Sequence, residues 1–268
     1  MSKLKISQVQ FSASHLPSIN SKILEKNFIK VLKFKPHLIC TPECSNIITN
    51  DKNYLILMAP YQNTCPVLKM AKNFAKKNKV RINLGSLLLK VKNQNKLVNR
   101  SFFIDSDGAI TKTYDKIHMF DVKINNKEKH HESSLFEAGN KLTYAKISNI
   151  KLGMTICYDL RFPNLYRQLA KKDCSIILVP AAFTRPTGKD HWEILNRSRA
   201  IENNVFIVAT GMCGNHHMKR ETYGYSLLVD PWGKILNSTN NQPSIINTTI
   251  NIAEVKKIRQ KIPSLKYE

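Results

Sequence analysis

This chain of 268 residues predicts a layered α/β protein. Three observations carry that expectation. Short apolar runs of strand length alternate with segments whose apolar residues recur at helical spacing. Hydrophobic residues make up 42% and charged residues 23%, the balance of a chain with a packed core rather than a disordered one. No internal repeat, low-complexity tract or Gly/Ser linker divides the chain, so one domain over residues 1–268 is expected. A chain of this length buries about 70–75% of its unfolded surface and needs no disulfide or metal to hold a core.

The elements follow in order. Ile6 to Phe11 alternates like a strand, and Leu24, Phe28, Val31 and Leu32 share one helix face. His37 to Cys40 reads as a short buried strand. Val67, Leu68, Ala71, Phe74 and Ala75 mark a second helix. Ile82 to Leu89 and Phe102 to Ile104 are strands, with Asp107-Gly108 a turn. Leu152 to Ile156 is a strand, and Pro163 suits the first turn of the helix after it. Ile176 to Val179 and Val205 to Ala209 are strands separated by a helix around His191 to Asn203. Leu227 to Val229, a turn at Asp230 to Gly233, Ile245 to Ile252 and a helix near Glu254 to Gln260 complete the pattern.

No apolar run approaches the roughly 18 residues that span a bilayer. Met1 to Phe11 has neither an apolar core nor a small-residue cleavage site, so no secretory signal is expected. Six cysteines without close pairing suit free thiols in a reducing compartment, and the cytoplasm is the expected one. The 42 Lys and Arg against 19 Asp and Glu give a net charge of +23, which favours anionic partners. A basic nucleic-acid-binding protein is therefore the non-enzyme alternative. Yet the lysines are scattered among asparagines, as in 72–79, 90–96 and 123–129, and no RNA- or zinc-finger-type pattern accompanies them. A solvated basic surface is the expected outcome, with no membrane partner and nucleic acid not the expected one.

The chain lacks the Gly-rich phosphate-binding motifs and the Gly-x-Ser-x-Gly turn of serine hydrolases. Cys40, Cys44, His130-His131 and His216-His217 lack zinc-site spacing, so no metal and no cofactor is expected. What remains is thiol, carboxylate and amine chemistry. Cys157 follows the strand Leu152 to Ile156, at a strand end where α/β proteins bind ligands. On its own it could equally be a buried core thiol. Glu43 lies just past Leu38 to Cys40, and alone could be a solvated loop carboxylate; Lys116 alone is one lysine among many.

Taken together, Pro42-Glu43, Tyr114-Asp115-Lys116-Ile117-His118 and Gly153-x-x-x-Cys157-Tyr158-Asp159-x-Arg161-Phe162-Pro163 resemble, in order and spacing, the nitrilase or carbon–nitrogen hydrolase superfamily. The resemblance runs over essentially the whole chain. It implies a four-layer α-β-β-α sandwich, a homodimer or larger homo-oligomer, and a Glu-Lys-Cys triad of Glu43, Lys116 and Cys157. It also implies a supporting glutamate at Glu132 and a backbone N–H at Tyr158 that helps hold an oxyanion. The implied reaction is hydrolysis of a linear terminal amide through a thioester, with ammonia leaving.

Further segments bear on the substrate. Thr187-Gly188-x-x-His191-Trp192-Glu193 resembles the branch holding ω-amidases and deaminated-glutathione amidases. Cys213 to Arg220 with Tyr223-Gly224-Tyr225-Ser226 is more similar to the latter. The expected substrate is a 2-oxo amide carrying carboxylates, and the resemblance implies deaminated glutathione. An ω-amidase acting on 2-oxoglutaramate, an aliphatic amidase and a carbamoylase are the alternatives within the superfamily. Arg161, Arg185, His191, His216, His217, Lys219 and Arg220 are the candidate substrate-binding residues, arginine being suited to bidentate carboxylate recognition. Arg161 and Arg199 could instead serve structural ion pairs. Asp190 stands where that branch has a small apolar residue, which leaves the fine substrate preference open.

Overall fold

Two β-sheets face each other, with helices on their outer sides. The structure, a computed structural model, describes residues 3–92, 96–123 and 129–267. Residues 93–95 and 124–128, within the lysine-rich stretches 90–96 and 123–129, lie outside that set.

Strand β1 (Lys3–Gln10) leads through helix α1 (Pro17–Val31) to β2 (Leu38–Cys40), which runs parallel to it. Helices α2 (Lys52–Met58) and α3 (Pro66–Asn78) then lead to β3 (Arg81–Lys90), parallel to β2. Antiparallel β4 (Leu97–Ile104) and β5 (Ile110–Asp115) extend this sheet. A small ribbon follows, β6 (Asp121–Lys123) with β7 (Lys129–His131), and then β8 (Phe136–Glu137), which pairs with the start of β4.

The second sheet repeats the logic. Antiparallel β9 (Tyr144–Ile147) and β10 (Ile150–Met154) come first. Helix α4 (Pro163–Lys171) leads to β11 (Cys174–Ala181), and α5 (Arg185–Asn203) leads to β12 (Phe206–Gly211). Strands β10, β11 and β12 are parallel. A hairpin of β13 (Cys213–His216) and β14 (Arg220–Tyr223) precedes β15 (Leu227–Val229) and β16 (Ile235–Ser238). The chain then returns to the first sheet as β17 (Ser244–Asn251), paired with all of β1, before α6 (Ala253–Lys261). The strand orders are β17-β1-β2-β3-β4-β5 and β16-β15-β12-β11-β10-β9.

The layers follow from the apolar pattern. The buried faces of α1 (Leu24, Phe28, Val31) and α3 (Val67, Leu68, Ala71, Phe74, Ala75) cover the outside of the first sheet. Leu165, Tyr166 and Leu169 of α4, with Trp192 and Ala200 of α5, cover the second. Leu4, Ile6, Leu38 and Phe103 point the other way, into the layer between the sheets. Proline sits in the first turn of α1, α3, α4 and α5, where its missing N–H has no intrahelical partner to lose.

The interlayer is not purely apolar. The Gln8 amide donates across it to the Ala209 carbonyl at 2.8 Å. At Gly85 the sheets approach so closely that a Cβ would lie 2.0 Å from the Thr41 carbonyl oxygen and 2.7 Å from Pro180 Cβ. Only glycine lets the loop after β2 lie there.

Several elements differ from expectation. Helix α5 begins at Arg185, ahead of the expected start near His191, so Thr187 and Gly188 lie in its first turns; Gly188 leaves room there for the Tyr223 ring. Strand β4 begins at Leu97, ahead of the apolar run at Phe102, because Asn99 and Ser101 occupy its inner face. Strand β10 ends at Met154, and Thr155-Ile156 form a short link to Cys157.

Candidate active site

The ends of β2, β5 and β10 meet at one edge of the sandwich. Glu43 follows β2, Lys116 follows β5 and Cys157 follows β10. Each is buried, at 3%, 2% and 8% exposure. They form the floor of a cavity of about 360 Å³.

Cys157 opens a single 3₁₀ turn, Cys157–Arg161, with φ of +48°, a conformation non-glycine residues seldom adopt. The neighbouring Asp159 holds that turn. Fully buried, its carboxylate accepts from the Ile156 N–H at 2.8 Å and the Tyr114 hydroxyl at 2.7 Å. It also accepts from the His118 backbone N–H at 3.1 Å and from His118 Nδ1 at 2.7 Å. Asp159 thereby ties the thiol-bearing turn to the segment that carries Lys116. His118 in turn stacks on Phe162, ring centroids 3.5 Å apart.

Around the thiol lies a charge cluster. Lys116 Nζ donates to Glu43 Oε1 at 3.0 Å and to both Glu132 oxygens, at 3.1 and 2.8 Å. Glu132 Oε2 also accepts from the Phe120 N–H at 2.7 Å. Glu43 Oε2 accepts from the Ala182 N–H at 2.8 Å, at the end of β11. Two carboxylates against one ammonium leave the cluster net negative. Burial pushes the Cys157 thiol well above its ordinary pKa, and the Glu43 charge adds to this while Lys116 opposes it. The resting group is therefore a thiol, hydrogen-bonded to Glu43. Burial also pushes the Glu43 carboxyl up. The Lys116 charge and the hydrogen bonds from Cys157, Lys116 and Ala182 outweigh it and hold Glu43 below the usual carboxylate range. For Lys116, burial works against the charge, but Glu132 and Glu43 overcome it and keep the ammonium protonated far into alkaline pH.

Asn99 did not stand out in the sequence, yet it joins this cluster. It is 1% exposed, and its Nδ2 donates to Glu43 Oε1 at 2.8 Å and to Glu132 Oε1 at 3.4 Å. Its signal was a polar residue on the inner face of an apolar strand, and reading that strand from Phe102 passes over it. Asp159 lay inside a recognised motif, but nothing in its spacing showed how many donors it gathers.

The candidate substrate-binding residues divide. Of these, Arg220 lines the cavity, beside the supporting Tyr158, and reaches the Thr49 carbonyl at 3.5 Å. The others are not on its wall. The Arg161 guanidinium lies over the Phe183 and Tyr158 rings and meets His191 Nδ1 at 3.2 Å. Arg185 pairs with Glu221 at the surface, 3.6 Å apart. His216 is buried in the hairpin, Nδ1 on the Ala13 carbonyl at 2.9 Å and Nε2 on Thr222 Oγ1 at 2.7 Å, so neither nitrogen is left for a substrate. His217 stands behind the wall, on Thr49 Oγ1 at 2.8 Å, its ring tilted against that of His15 with centroids 4.3 Å apart. Lys219 is exposed in the hairpin turn. Arg199 is structural, donating to the Leu160 carbonyl at 3.0 Å and pairing with Glu202 at 2.9 Å. All six cysteines are free and buried, but only Cys44 and Cys157 reach the cavity.

Known proteins share this architecture. Residues 19–260 match the model of the carbon–nitrogen hydrolase family. The deaminated glutathione amidase of Dictyostelium discoideum is 34% identical over 100% of this chain and 95% of its own length. That of Yersinia enterocolitica is 38% identical over 89% of this chain and 84% of its own. Among solved structures, the Caenorhabditis elegans NitFhit protein superposes with a TM-score of 0.93 at 30% identity, covering 100% of this chain and 65% of that one. Saccharomyces cerevisiae Nit3, a nitrilase-superfamily member, gives 0.87 at 27% identity over 98% and 95%. The family match does not favour the nucleic-acid alternative raised by the net charge. With most of its length matched by the family model and the same sandwich in solved relatives, the chain belongs to the carbon–nitrogen hydrolase family.

Proposed function

We propose that this protein is a cysteine-dependent amidase in which Cys157 is the nucleophile, Glu43 the general base and acid, and Lys116 the cation that stabilises the oxyanion. The buried meeting of a thiol, a carboxylate and an ammonium on a cavity floor carries this reading. A protonated thiol is a weak nucleophile, so a base must take its proton as it attacks. Glu43 does so while Cys157 Sγ bonds to the amide carbon. The carbonyl oxygen becomes an oxyanion, facing the Lys116 charge and the Tyr158 N–H. Glu132 holds that charge in place. Collapse breaks the C–N bond as Glu43 returns its proton to the departing nitrogen. Water, deprotonated by Glu43, then attacks the thioester, giving the carboxylic acid and the free thiol.

The proposed substrate is deaminated glutathione, the activity for which the relatives are named. Lys52, Lys129 and Arg220 stand on the cavity wall, a setting that suits a carboxylate-bearing substrate. The leaving group follows from the substrate's chemistry. The ammonia expected from the sequence belongs to a primary amide such as 2-oxoglutaramate. In deaminated glutathione the scissile nitrogen belongs to cysteine, so cysteinylglycine leaves. Both substrates yield 2-oxoglutarate, and its release measures them on one scale. A higher kcat/KM for deaminated glutathione supports the assignment. Preference for 2-oxoglutaramate moves it to ω-amidase.

The 268 residues are proposed to act as one domain, in the cytoplasm, and as a homo-oligomer. Among the described residues no helix is long and apolar enough to cross a membrane. Exposed Ile194 and Ile201 of α5 and the nearby Trp232 form an apolar strip suited to a second copy. Light scattering of the wild type and of Ile194→Glu tests this, a monomeric wild type overturning it.

A further inference from the structure

We infer that Asn99 is a positioning residue for the base: it fixes which oxygen of Glu43 receives the Cys157 proton. The inference rests on the reading of Glu43 as the base. Glu43 Oε1 accepts from both Lys116 Nζ, at 3.0 Å, and Asn99 Nδ2, at 2.8 Å. A carboxylate oxygen accepts about two hydrogen bonds in its plane, so these two donors fill it. Oε2 accepts one N–H, from Ala182 at 2.8 Å, which leaves one direction for the thiol hydrogen bond that Glu43 receives from Cys157. Oε2 is thus the oxygen with room for a proton, and Asn99 makes the two oxygens unequal.

The amide does a second thing. It reaches Glu132 Oε1 at 3.4 Å, so one side chain spans the two carboxylates that flank Lys116. Without it, the Glu43 and Glu132 carboxylates would be bridged by the ammonium alone, and each could rotate toward it. The orientation of the Asn99 amide is set by this surrounding. Its Nδ2 faces oxygens of both glutamates, whereas a flipped amide would turn an acceptor toward anions. Its Oδ1 has no partner among the described residues, as expected where the donor end decides the orientation. Backbone geometry adds a further tie, because the Lys116 N–H donates to the Asn99 carbonyl at 3.0 Å. One residue of β4 therefore touches Glu43, Glu132 and the Lys116 main chain.

Donors to a carboxylate favour its charged form, so removing one raises its pKa. The acidic limb of kcat/KM reports the base of the free enzyme. In Asn99→Ala, that limb should move to higher pH, and kcat should fall about 10- to 100-fold with KM changed much less, as for a misplaced catalytic group. Asn99→Asp keeps the volume but adds a third carboxylate, and should move the limb further. A purely structural asparagine would lower the melting temperature and leave the limb in place. Both variants are compared with wild type by thermal unfolding and by full pH profiles. A folded Asn99→Ala or Asn99→Asp enzyme whose acidic limb coincides with wild type overturns the inference. If the alanine variant does not fold, the isosteric Asp variant decides alone. Failure of the underlying reading looks different: a Glu43→Gln enzyme with near wild-type activity removes the base itself, whatever Asn99 does.

Discussion

The cavity has a floor and a rim, both rich in charge. On the floor, Glu43, Lys116 and Glu132 are bound to one another and to backbone N–H groups at 2.7–3.1 Å, with Asn99 and Ala182 as further donors. Around the rim, Lys219 and Arg185 are exposed, and the Arg185–Glu221 pair spans 3.6 Å with both side chains more than half exposed. Floor charges lie where water is excluded, so each pairing is strong and each loss is costly. Rim charges are screened, and pairs of that kind contribute about 0–1 kcal/mol. Bond breaking needs groups fixed to within about half an ångström, whereas recognition of a charged tail tolerates flexible side chains. Substitutions in the two regions should therefore differ by orders of magnitude.

Cys157→Ala should show the largest effect, a loss on the order of 10⁴-fold or more in kcat, with the melting temperature preserved because only a sulfur is removed. Substantial turnover in this variant would dissociate the floor from the reaction. Lys116→Gln comes next. Loss of the cation should reduce kcat by about 10²- to 10³-fold. It also leaves the buried Glu43 carboxylate, and the partly exposed Glu132, without their counter-charge, so stability should fall by about 3–5 kcal/mol in urea titration. A stable, active Lys116→Gln enzyme would mean that the floor tolerates what only the rim should.

The floor was also the more legible part. Strands β2 and β10 are short apolar runs bounded by turn residues, and the motifs after them place Glu43 and Cys157 at their ends. The packing of the layers was legible for the same reason, since Leu24 to Val31 and Val67 to Ala75 show their buried faces by spacing alone. What stayed hidden depends on backbone detail that periodicity does not carry. At the end of β13, His216 and the next residue, His217, point different ways, one into the hairpin and one toward Thr49. Met218 and Lys219, at φ +56° and +58°, turn the chain so that Lys219 faces solvent and Arg220 the cavity. Asn99 was hidden differently: its role exists only once β2, β4 and β5 are brought together.

His216, buried in the hairpin that carries Arg220, gives a pH test. Burial lowers its pKa from 6.5 to about 4, with the Arg220 charge adding to this and the Ala13 bond opposing it. Nδ1–H donates to Ala13, so Nε2 accepts from Thr222 and the ring is neutral. Between pH 4 and 6.5 the unfolded chain binds a proton that the folded one excludes. Its contribution to stability is complete above pH 6.5 and declines as pH falls toward 4, by at most about 3 kcal/mol. Urea titrations at pH 7 and pH 4.5 should show this drop, and His216→Gln should make it shallower. Equal drops in the two proteins would place the acid sensitivity elsewhere.

The smallest effects belong to the rim, where Lys219 and Arg220 are adjacent in sequence and differ in place. Arg220 lines the cavity and is tethered to the Thr49 carbonyl; Lys219 is exposed. If the carboxylate at the far end of deaminated glutathione meets Arg220, that contact exists for the long substrate and not for 2-oxoglutaramate. A charge-assisted hydrogen bond contributes about 1.5–3 kcal/mol, so Arg220→Ala should lower kcat/KM for deaminated glutathione by about 10- to 100-fold. The same variant should change 2-oxoglutaramate by a few-fold at most. Lys219→Ala should alter both substrates by less than about twofold, as expected of a screened surface charge. Measuring both variants on both substrates gives four ratios, and only one should be large. Equal losses on the two substrates in Arg220→Ala would mean that this arginine shapes the cavity without reading the tail. A large, selective loss in Lys219→Ala would mean that the hairpin turn folds over the bound substrate and brings an exposed residue onto it.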